Sequence, residues 1–307
     1  MIFLDLRQLE TFIEVANLKS FSKAADKLYI TQPTVTNHIQ NLEKEMKTSL
    51  INRSGKNISL TPSGTILYEY AINIINSCKM AKFKLESFKG KIQGHLDIFS
   101  STIPSKYVLP NIVYNFLLTY PDVTFSLISK DSKSIIKSIL EGQSDFGIIG
   151  TKHCANQLEY IDLMEDNLFL ITPNIKRFSC HNYSTLEKNI LLKEKIIMRE
   201  KGSGVRELVE RQMELNFLNL KQLNIIGYVE DTEIIKKLVS LGAGISFLSE
   251  ISVKDEIQQK KIKIFNIDGF NLNRKFYFVY HKTRHLSPLS EAFKNFTLNY
   301  IASNINN

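Results

Sequence analysis

The chain has 307 residues, of which 43% are hydrophobic and 23% charged, and this composition is typical of a soluble globular protein with two or three domains. A net charge of +8 favours an anionic partner, but only weakly. The three cysteines, Cys78, Cys154 and Cys180, argue against a disulfide framework or a zinc site. The chain shows no secretory leader and no apolar run of bilayer length, so we expect a cytoplasmic protein without a membrane partner.

Three helices are predicted within the first 46 residues. Apolar residues recur at helical spacing between Asp5 and Asn17, and Ser20 can cap a short second helix. Thr31 can cap a third helix that extends to Met46. Short helices with a tight connection are typical of a helix-turn-helix, whose second helix enters the major groove of DNA.

The third helix combines an apolar stripe with an uncharged polar face. The stripe consists of Val35, Ile39, Leu42 and Met46. Amide, hydroxyl and imidazole groups cover the other side of its first half, at Gln32, Thr34, Thr36, Asn37, His38 and Gln40. Such groups match the edges of base pairs, which makes the helix a candidate for reading DNA. For this helix taken alone, an ordinary polar surface helix is an equally good interpretation.

A basic hairpin is predicted after the third helix. Leu50–Asn52 and Ile58–Leu60 are short enough to be paired strands, and the turn between them contains Arg53 and Lys56. In this position a basic hairpin is typical of a wing that contacts phosphate or the minor groove. Without the preceding helices, a simple surface hairpin would be the favoured interpretation.

A long amphipathic helix follows the hairpin. Thr61 is its predicted N-cap, and the helix is predicted from Pro62 to Lys89. Its apolar residues alternate steps of four and three through Leu67, Ala71, Ile74, Cys78, Ala81, Leu85 and Phe88. This heptad seam favours pairing with the same helix of a second chain, with packing onto its own chain as the alternative. On the seam, we expect Cys78 to be a small core residue.

From residue 91 onward, strands alternate with helices, which predicts parallel sheets in α/β layers. Ligands of such sheets bind at the carboxyl ends of strands, near helix N-termini. Polar groups follow predicted strands at four places, namely Ser100–Thr102, Gly150–Thr151, Arg199–Gly204 and Glu230–Asp231. Their hydroxyl groups and arginine suit an anion. Each segment taken singly is better explained as a capped turn, but four such segments together favour a binding site.

Six short motifs run in order between Arg7 and Gly64. They are Arg7–Phe12, Ser20–Ala25, Thr31–Thr36, Leu42-Glu43, Asn52-Arg53 and Leu60–Gly64. Through these motifs, residues 4–61 resemble the winged helix-turn-helix of LysR-type transcriptional regulators. The family implies that Gln32, Pro33, Thr34 and Thr36 face DNA, with Arg53 contacting it from the wing. We add the polar and basic neighbours of these residues to the predicted set. The predicted DNA-binding residues are then Thr31, Gln32, Pro33, Thr34, Thr36, Asn37, His38, Arg53 and Lys56. Many members carry Arg and Gln in place of Asn37 and His38, so the family's sequence preference is not transferred.

The remaining residues resemble the effector domain of the same family through a weaker set of motifs. These are Ser101-Thr102 with Leu109-Pro110, Tyr120-Pro121, Glu141–Gly147, Gly202–Gly204 and Gly242–Ile245. The family implies two α/β subdomains, like those of periplasmic solute-binding proteins, with the inducer in the cleft between them. The implied effector-binding residues are Ser100, Ser101, Thr102, Gly150, Thr151, Arg199 and Ser203. The segment SSTIPSKYVLP resembles branches of the family tied to sulfur or selenium metabolism.

The resemblance divides the α/β chain into three parts. Residues 4–61 are the predicted DNA-binding domain, residues 62–90 the linker and dimerisation helix, and residues 91–303 the effector-binding domain. Within the effector domain, the first subdomain is predicted to comprise 91–162 plus 268–303, and the second 163–267.

The predicted function is that of a sequence-specific transcriptional regulator controlled by a small-molecule, anionic effector. The expected partners are double-stranded operator DNA and a second copy of the chain, in a homodimer or homotetramer, and the resemblance also admits RNA polymerase. A small-molecule-binding protein without a transcriptional role is the alternative, and a gel shift with upstream DNA would separate the two. An enzyme is not expected, because the chain has no Gly-x-Ser-x-Gly motif and no His/Glu metal spacing. We therefore expect no catalytic residue, no metal and no cofactor.

Overall fold

The computed structural model of the protein describes residues 4–52, 58–88, 93–153, 155–178 and 182–305, with the backbone alone for residues 84, 86–88, 304 and 305. Its N-terminal part contains helices α1 (Leu6–Leu18), α2 (Phe21–Leu28), α3 (Gln32–Met46) and α4 (Pro62–Phe88). A short antiparallel hairpin of β1 (Ile51–Asn52) and β2 (Ser59–Leu60) lies between α3 and α4. The order of helix-turn-helix, hairpin and long helix confirms the prediction.

Side-chain caps explain where the first three helices begin, and two of them, Ser20 and Thr31, were predicted. The side chains of Asp5, Ser20 and Thr31 each accept a hydrogen bond from a backbone N–H two or three residues later, at 2.8 to 3.3 Å. The apolar faces of the helices meet in one core, whose members include Leu9, Phe12, Val35, Ile39 and Leu42. Because the apolar stripe of α3 is buried in this core, its polar face is turned outward.

Helix α4 has two environments along its length. Near its start, Tyr68, Ala71 and Ile75 are buried against the helix-turn-helix core. Further along, the Leu85 side chain is 66% exposed in the single chain. Cys78, which we predicted to be a core residue, is also exposed, because no element of its own chain covers that face among the described residues. Its burial on the seam requires a second chain.

The remaining residues form alternating strands and helices. In chain order these are β3 (Gln93–Ser100), α5 (Leu109–Thr119), β4 (Asp122–Ser129), α6 (Ser132–Leu140), β5 (Phe146–Ile149), β6 (Leu158–Pro173), β7 (Thr185–Leu186), α7 (Ile190–Lys193), β8 (Lys195–Arg199), α8 (Gly204–Leu215), β9 (Asn224–Val229), α9 (Thr232–Ser240), β10 (Ser246–Ser249), α10 (Glu250–Gln258), β11 (Ile262–Ile267), β12 (Asn273–His281) and α11 (Pro288–Ile305). A π-helical segment, Pro104–Val108, leads into α5.

The sheets are mixed and not purely parallel. Strand β3 pairs in parallel with β4 and β5, and β8 pairs in parallel with β9, as the alternation predicted. The centre of the large sheet is antiparallel, since β12 runs opposite to both β5 and β6. Strands β10 and β11 also run opposite to β6. The expectation of parallel sheets is therefore confirmed for these pairs and wrong for the centre of the large sheet, because chain crossings between the two halves of the sheet return strands in the opposite direction.

Strand β6 divides this part of the chain into two lobes. Its first ten residues, Leu158–Asn167, pair with β12, and its last six, Leu168–Pro173, pair with β10 or β11. The first lobe contains β3–β5, β12, α5, α6 and α11, around a core that includes Phe116, Phe146, Phe278 and Phe293. The second lobe contains β7–β11 and α7–α10, around a core that includes Leu170, Met198, Phe247 and Phe265. The limits predicted for the domains and subdomains stay predictions.

Helix α4 is attached to the first lobe by side-chain amides. The Asn73 amide donates to the backbone oxygen of Thr283 at 2.7 Å and accepts from the backbone N–H of His285 at 2.8 Å. Asn76 donates to the backbone oxygen of His285 at 2.6 Å. These bonds seat the loop after β12 on α4. Among the described residues, no helix is long and apolar enough to span a membrane.

Candidate functional site

Three helix N-termini meet at a cavity between the two lobes. They are the turn at Ser101 and Thr102, which leads toward α5, the start of α6 at Asp131 and Ser132, and the start of α8 at Ser203 and Gly204. The cavity encloses about 420 Å³, including its open mouth. Helix N-termini carry partial positive charge and unpaired backbone N–H groups. The arrangement therefore favours a small anion.

Most of the effector-binding residues predicted from the sequence lie at this cavity. Ser101, Thr102, Gly150, Arg199 and Ser203 line it directly. Ser100 is fully buried, and its hydroxyl donates to the backbone oxygen of Ser101 at 3.1 Å. Thr151 lies against Gly204, where an added Cβ would clash with the Thr151 hydroxyl.

The fourth predicted segment, at Glu230 and Asp231, does not line the cavity. The Asp231 carboxylate caps α9, and it also pairs with Lys106 of the first lobe at 3.0 Å. The Lys106 ammonium lowers the pKa of Asp231 below its ordinary value, as does the hydrogen bond from the backbone N–H of Glu233. Asp231 thus bridges the two lobes beside the cavity.

Arg199 is buried at the end of β8, with a side chain that is 3% exposed. Its Nε and Nη2 atoms donate to the two carboxylate oxygens of Glu200 at 2.7 and 2.8 Å. Its Nη1 atom reaches the Thr232 hydroxyl at 3.4 Å, which is a long contact. The strong donors of this guanidinium are therefore occupied by the neighbouring carboxylate.

Arg274 is a cavity residue that the sequence did not indicate. Its side chain is 9% exposed, and Nε donates to Asp166 at 2.8 Å. Nη2 lies 2.8 Å from the same carboxylate oxygen but makes no hydrogen bond of good geometry to any described residue. Nη1 lies next to Gly150 and Gly204, so the guanidinium edge faces the cavity. Arg274 stands between Asn273 and Lys275 at the start of a strand, where no local pattern separates it from a solvated charge.

Asp131 brings a negative charge to the rim of the same cavity. Burial alone would raise its pKa, but hydrogen bonds from the Ser134 hydroxyl and from backbone N–H groups hold the pKa below the ordinary value for a carboxyl. Asp131 is therefore ionised at neutral pH. The Asp131 carboxylate caps the first turn of α6, so hydrogen bonds within its own helix compensate much of its negative charge.

The polar face of α3 is accessible. Gln32, Pro33 and Asn37 are exposed, and Thr34 and Thr36 are half-buried. The Thr31 and Thr34 hydroxyls lie 2.8 Å apart. The Gln32 side-chain oxygen accepts from the Ser22 hydroxyl of α2 at 2.9 Å, which orients this amide at the head of the helix.

His38 is oriented differently from the rest of the predicted DNA-binding set. Its Nδ1 atom lies 2.8 Å from the hydroxyl of Thr11, a buried residue of α1. The ring is half-buried and connects α3 to α1. Arg53 and Lys56, predicted to contact DNA from the wing, lie outside the described residues.

In the part of the chain that the structure describes, no group of three His, Cys, Asp or Glu side chains could hold a metal ion. The cavity between the lobes and the polar face of α3 are the two candidate sites in this part of the chain.

Comparison with known proteins gives matches along both parts of the chain. The family model "LysR substrate binding domain" matches residues 89–302, and "Bacterial regulatory helix-turn-helix protein, lysR family" matches residues 6–65. The chain is 32% identical to the HTH-type transcriptional regulator CysL of Bacillus subtilis (strain 168), over 94% of this chain and 92% of that protein.

Two solved effector domains have the same fold as the C-terminal part. The effector-binding domain of QuiR in complex with shikimate gives a TM-score of 0.60 at 24% identity, covering 69% of this chain and 99% of that chain. The Synechocystis CcmR regulatory domain in complex with 2-PG gives a TM-score of 0.61 at 24% identity, covering 68% and 98%. With both of its parts matched by models of one family, the chain belongs to the LysR-type transcriptional regulators.

Proposed function

We propose that this regulator reads its operator with the polar face of α3 and binds a small anionic effector in the cavity between the lobes. The observation that carries the effector assignment is the meeting of three helix N-termini and two buried arginines on one cavity. The proposal assigns no chemical reaction to the chain. Its site of action is the cytoplasm, where a soluble regulator reaches DNA.

The chemistry of the cavity supports a small oxyanion as the effector. Backbone N–H groups at the helix N-termini and the hydroxyls of Ser101, Thr102 and Ser203 offer hydrogen-bond donors. Glycine at positions 150 and 204 leaves room for the Arg274 guanidinium and the Thr151 hydroxyl beside the cavity. The complexes of QuiR with shikimate and of CcmR with 2-PG support a small ligand. We assign effector contact to Ser101, Thr102, Gly150, Arg199, Ser203 and Arg274, with Ser100 and Thr151 holding the turns behind them.

For DNA, we assign base contacts to the exposed end of α3, at Thr31, Gln32, Pro33, Thr34, Thr36 and Asn37. We assign phosphate contacts to Arg53 and Lys56 of the wing. His38 contributes through the Thr11 contact, which fixes α3 on α1. Pairing of two α4 helices, in a homodimer or within a homotetramer, would present two reading helices to a two-fold operator.

The reading helix is tested by replacing Gln32 with Ala and measuring affinity for the operator and for a scrambled duplex of the same length. We expect the ratio of the two affinities to fall by roughly tenfold, since a lost base contact is worth ~1–3 kcal/mol of discrimination. Gln222→Ala, which removes an exposed amide far from α3, is the matched control and should keep the ratio. An unchanged footprint and affinity for Gln32→Ala would contradict the assignment.

The effector site is tested by thermal unfolding of the full chain with a panel of small carboxylates, phosphates and sulfate at constant ionic strength. A bound anion should raise the melting temperature with increasing concentration. Thr102→Val removes one lining hydroxyl while nearly keeping its volume, and it should weaken that response. The same response from the wild type and from Thr102→Val would place the anion elsewhere.

A further inference from the structure

Glu200 holds the guanidinium of Arg199 in the manner expected of a bound ligand. Both carboxylate oxygens of Glu200 accept from it, at 2.7 and 2.8 Å, in the fork arrangement that guanidinium groups form with carboxylates and phosphates. We propose that Glu200 is an internal counter-ion that occupies Arg199 in the unliganded cavity, and that an oxyanion effector displaces it. This inference rests on the proposed effector site and names the step by which that site is filled.

The two buried arginines of the cavity differ in whether their partner can leave. Asp166, the partner of Arg274, has a side chain that is 1% exposed and also accepts from the Ser249 hydroxyl. Glu200 has a side chain that is 26% exposed, at the rim of the cavity. A carboxylate that reaches water by rotation keeps its hydration, whereas a buried carboxylate that loses its partner does not. We therefore expect a bound anion to displace Glu200 from Arg199 but not Asp166 from Arg274.

The charge balance of the cavity points in the same direction. Its lining carries the cations Arg199 and Arg274 and the anions Asp131 and Glu200, with Asp166 behind Arg274. The lining and its buried partner thus hold three negative charges against two positive ones. An added anion is attracted by the three helix N-termini but repelled by these carboxylates, and the repulsion falls when one carboxylate moves away. Release of Glu200 restores the balance and frees two strong donors on Arg199.

Displacement makes the cavity selective for one class of ligand. Only a group with two oxygens in the right spacing, such as a carboxylate, phosphate or sulfate, can replace both hydrogen bonds that Glu200 makes. A neutral ligand leaves the Arg199–Glu200 pair intact and gains nothing from this arginine. The effector must therefore bind Arg199 more favourably than Glu200 does before it can occupy the cavity.

The test uses the full-length chain and sulfate as the probe, titrated by calorimetry against chloride at matched ionic strength. Glu200→Gln keeps the size of the side chain but removes its charge, so we expect sulfate to bind about tenfold more tightly than to the wild type. Glu210→Gln is the matched control, because Glu210 pairs with Arg206 at the same 2.7 Å distance but does not line the cavity. The double variant Arg199→Met with Glu200→Gln should lose the gain.

Each other outcome overturns the inference in a recognisable way. If Glu200→Gln and the wild type bind sulfate equally, while Thr102→Val weakens binding, the anion site stands and the displacement is wrong. If Glu200→Gln weakens binding, Glu200 contributes to holding the ligand and does not compete with it. If sulfate binds to no variant, including Glu200→Gln, the freed Arg199 attracts no oxyanion, and the effector panel then decides the proposed function separately.

Discussion

Arg274 and Asp166 form an ion pair at 2.8 Å in which both side chains are at least nine-tenths buried, although they are 108 residues apart in the sequence. The pair joins β6, the strand that both lobes share, to β12, the last strand of the first lobe, directly behind the cavity. Buried pairs of this kind contribute little net stability, but removing one partner is costly because the other charge is left uncompensated.

Asp166→Asn should therefore destabilise the chain by roughly 3–5 kcal/mol in urea unfolding, because Arg274 would remain buried without its counter-ion. Asp162→Asn is the comparison, since Asp162 pairs with Lys275 at 2.8 Å on the surface of the same strand. Its effect should be much smaller, because solvent screens exposed pairs. Equal effects of the two substitutions would show that burial does not control the strength of the Arg274 pair.

Tyr68→Phe should weaken the contacts that hold α4 between the helix-turn-helix and the first lobe. The Tyr68 hydroxyl donates to Asn17 of α1 and contacts the backbone oxygen of Glu141 at 3.2 Å. Burial raises the pKa of Tyr68 to about 12, so the phenol stays a donor at every working pH. We expect a loss of about 1 kcal/mol in the free energy of unfolding.

Tyr70→Phe provides the control for this loss, since Tyr70 lies two residues further along α4 and is 64% exposed. Chemical unfolding at about pH 7 should leave its stability at the wild-type value. If the two tyrosine variants unfold alike, the Tyr68 hydroxyl makes no net contribution.

Stability should fall on acidification in part because of His281. Burial lowers the pKa of His281 below its ordinary value, and the nearby Arg284 guanidinium lowers it further, against the opposite effect of Glu69. Below the ordinary value of 6.5, the unfolded chain binds a proton that the folded chain refuses. The contribution of neutral His281 to the free energy of unfolding is thus complete above pH 6.5 and declines as the pH falls through 6.5.

A variant His281→Gln should show a shallower loss of melting temperature between about pH 7.5 and about pH 5.5 than the wild type. Gln222→Ala, at an exposed position without a titrating group, should keep the wild-type slope. A steeper or unchanged slope for His281→Gln would mean that another group controls the acid sensitivity.

Leu85→Glu should weaken association of two chains without unfolding either one. Leu85 is 66% exposed on the predicted seam of α4, and no described element of its own chain covers it. A charge buried in a helix pair costs ~2 kcal/mol or more, so the dimer dissociation constant should rise on the order of 30-fold or beyond. Light scattering across a concentration series measures this shift, with Lys79→Glu on the exposed side of the same helix as the control.

The N-terminal elements could be predicted closely because their signals are local. Ser20 and Thr31 act as caps within three residues of the N–H groups that they bind, and Pro62 starts α4 as expected. The C-terminal part depends on distant partners. The first half of β6 has a weak strand pattern because Asp162 and other acidic residues interrupt its apolar residues. Lys275, which pairs with Asp162 at 2.8 Å, comes from β12, 113 residues later.

The cavity shows the same division between local and distant information. Ser101, Thr102 and Ser203 could be predicted because each stands between a strand and a helix start, a pattern visible within a few residues. Arg274 could not be predicted, since its role depends on Asp166 and on two glycines from other strands. The inward turn of His38 was missed for the same reason, because its partner Thr11 lies on another helix.

Strand β6 also determines how the cleft can move. Its backbone belongs to both lobes, and it exchanges β12 for β10 and β11 at the step from Asn167 to Leu168. The lobes are therefore joined by one continuous hydrogen-bonded strand as well as by the connection from β11 to β12. We expect any opening of the cavity to occur as a twist about β6, so that the lobes rotate against each other while the strand beneath the cavity stays in place.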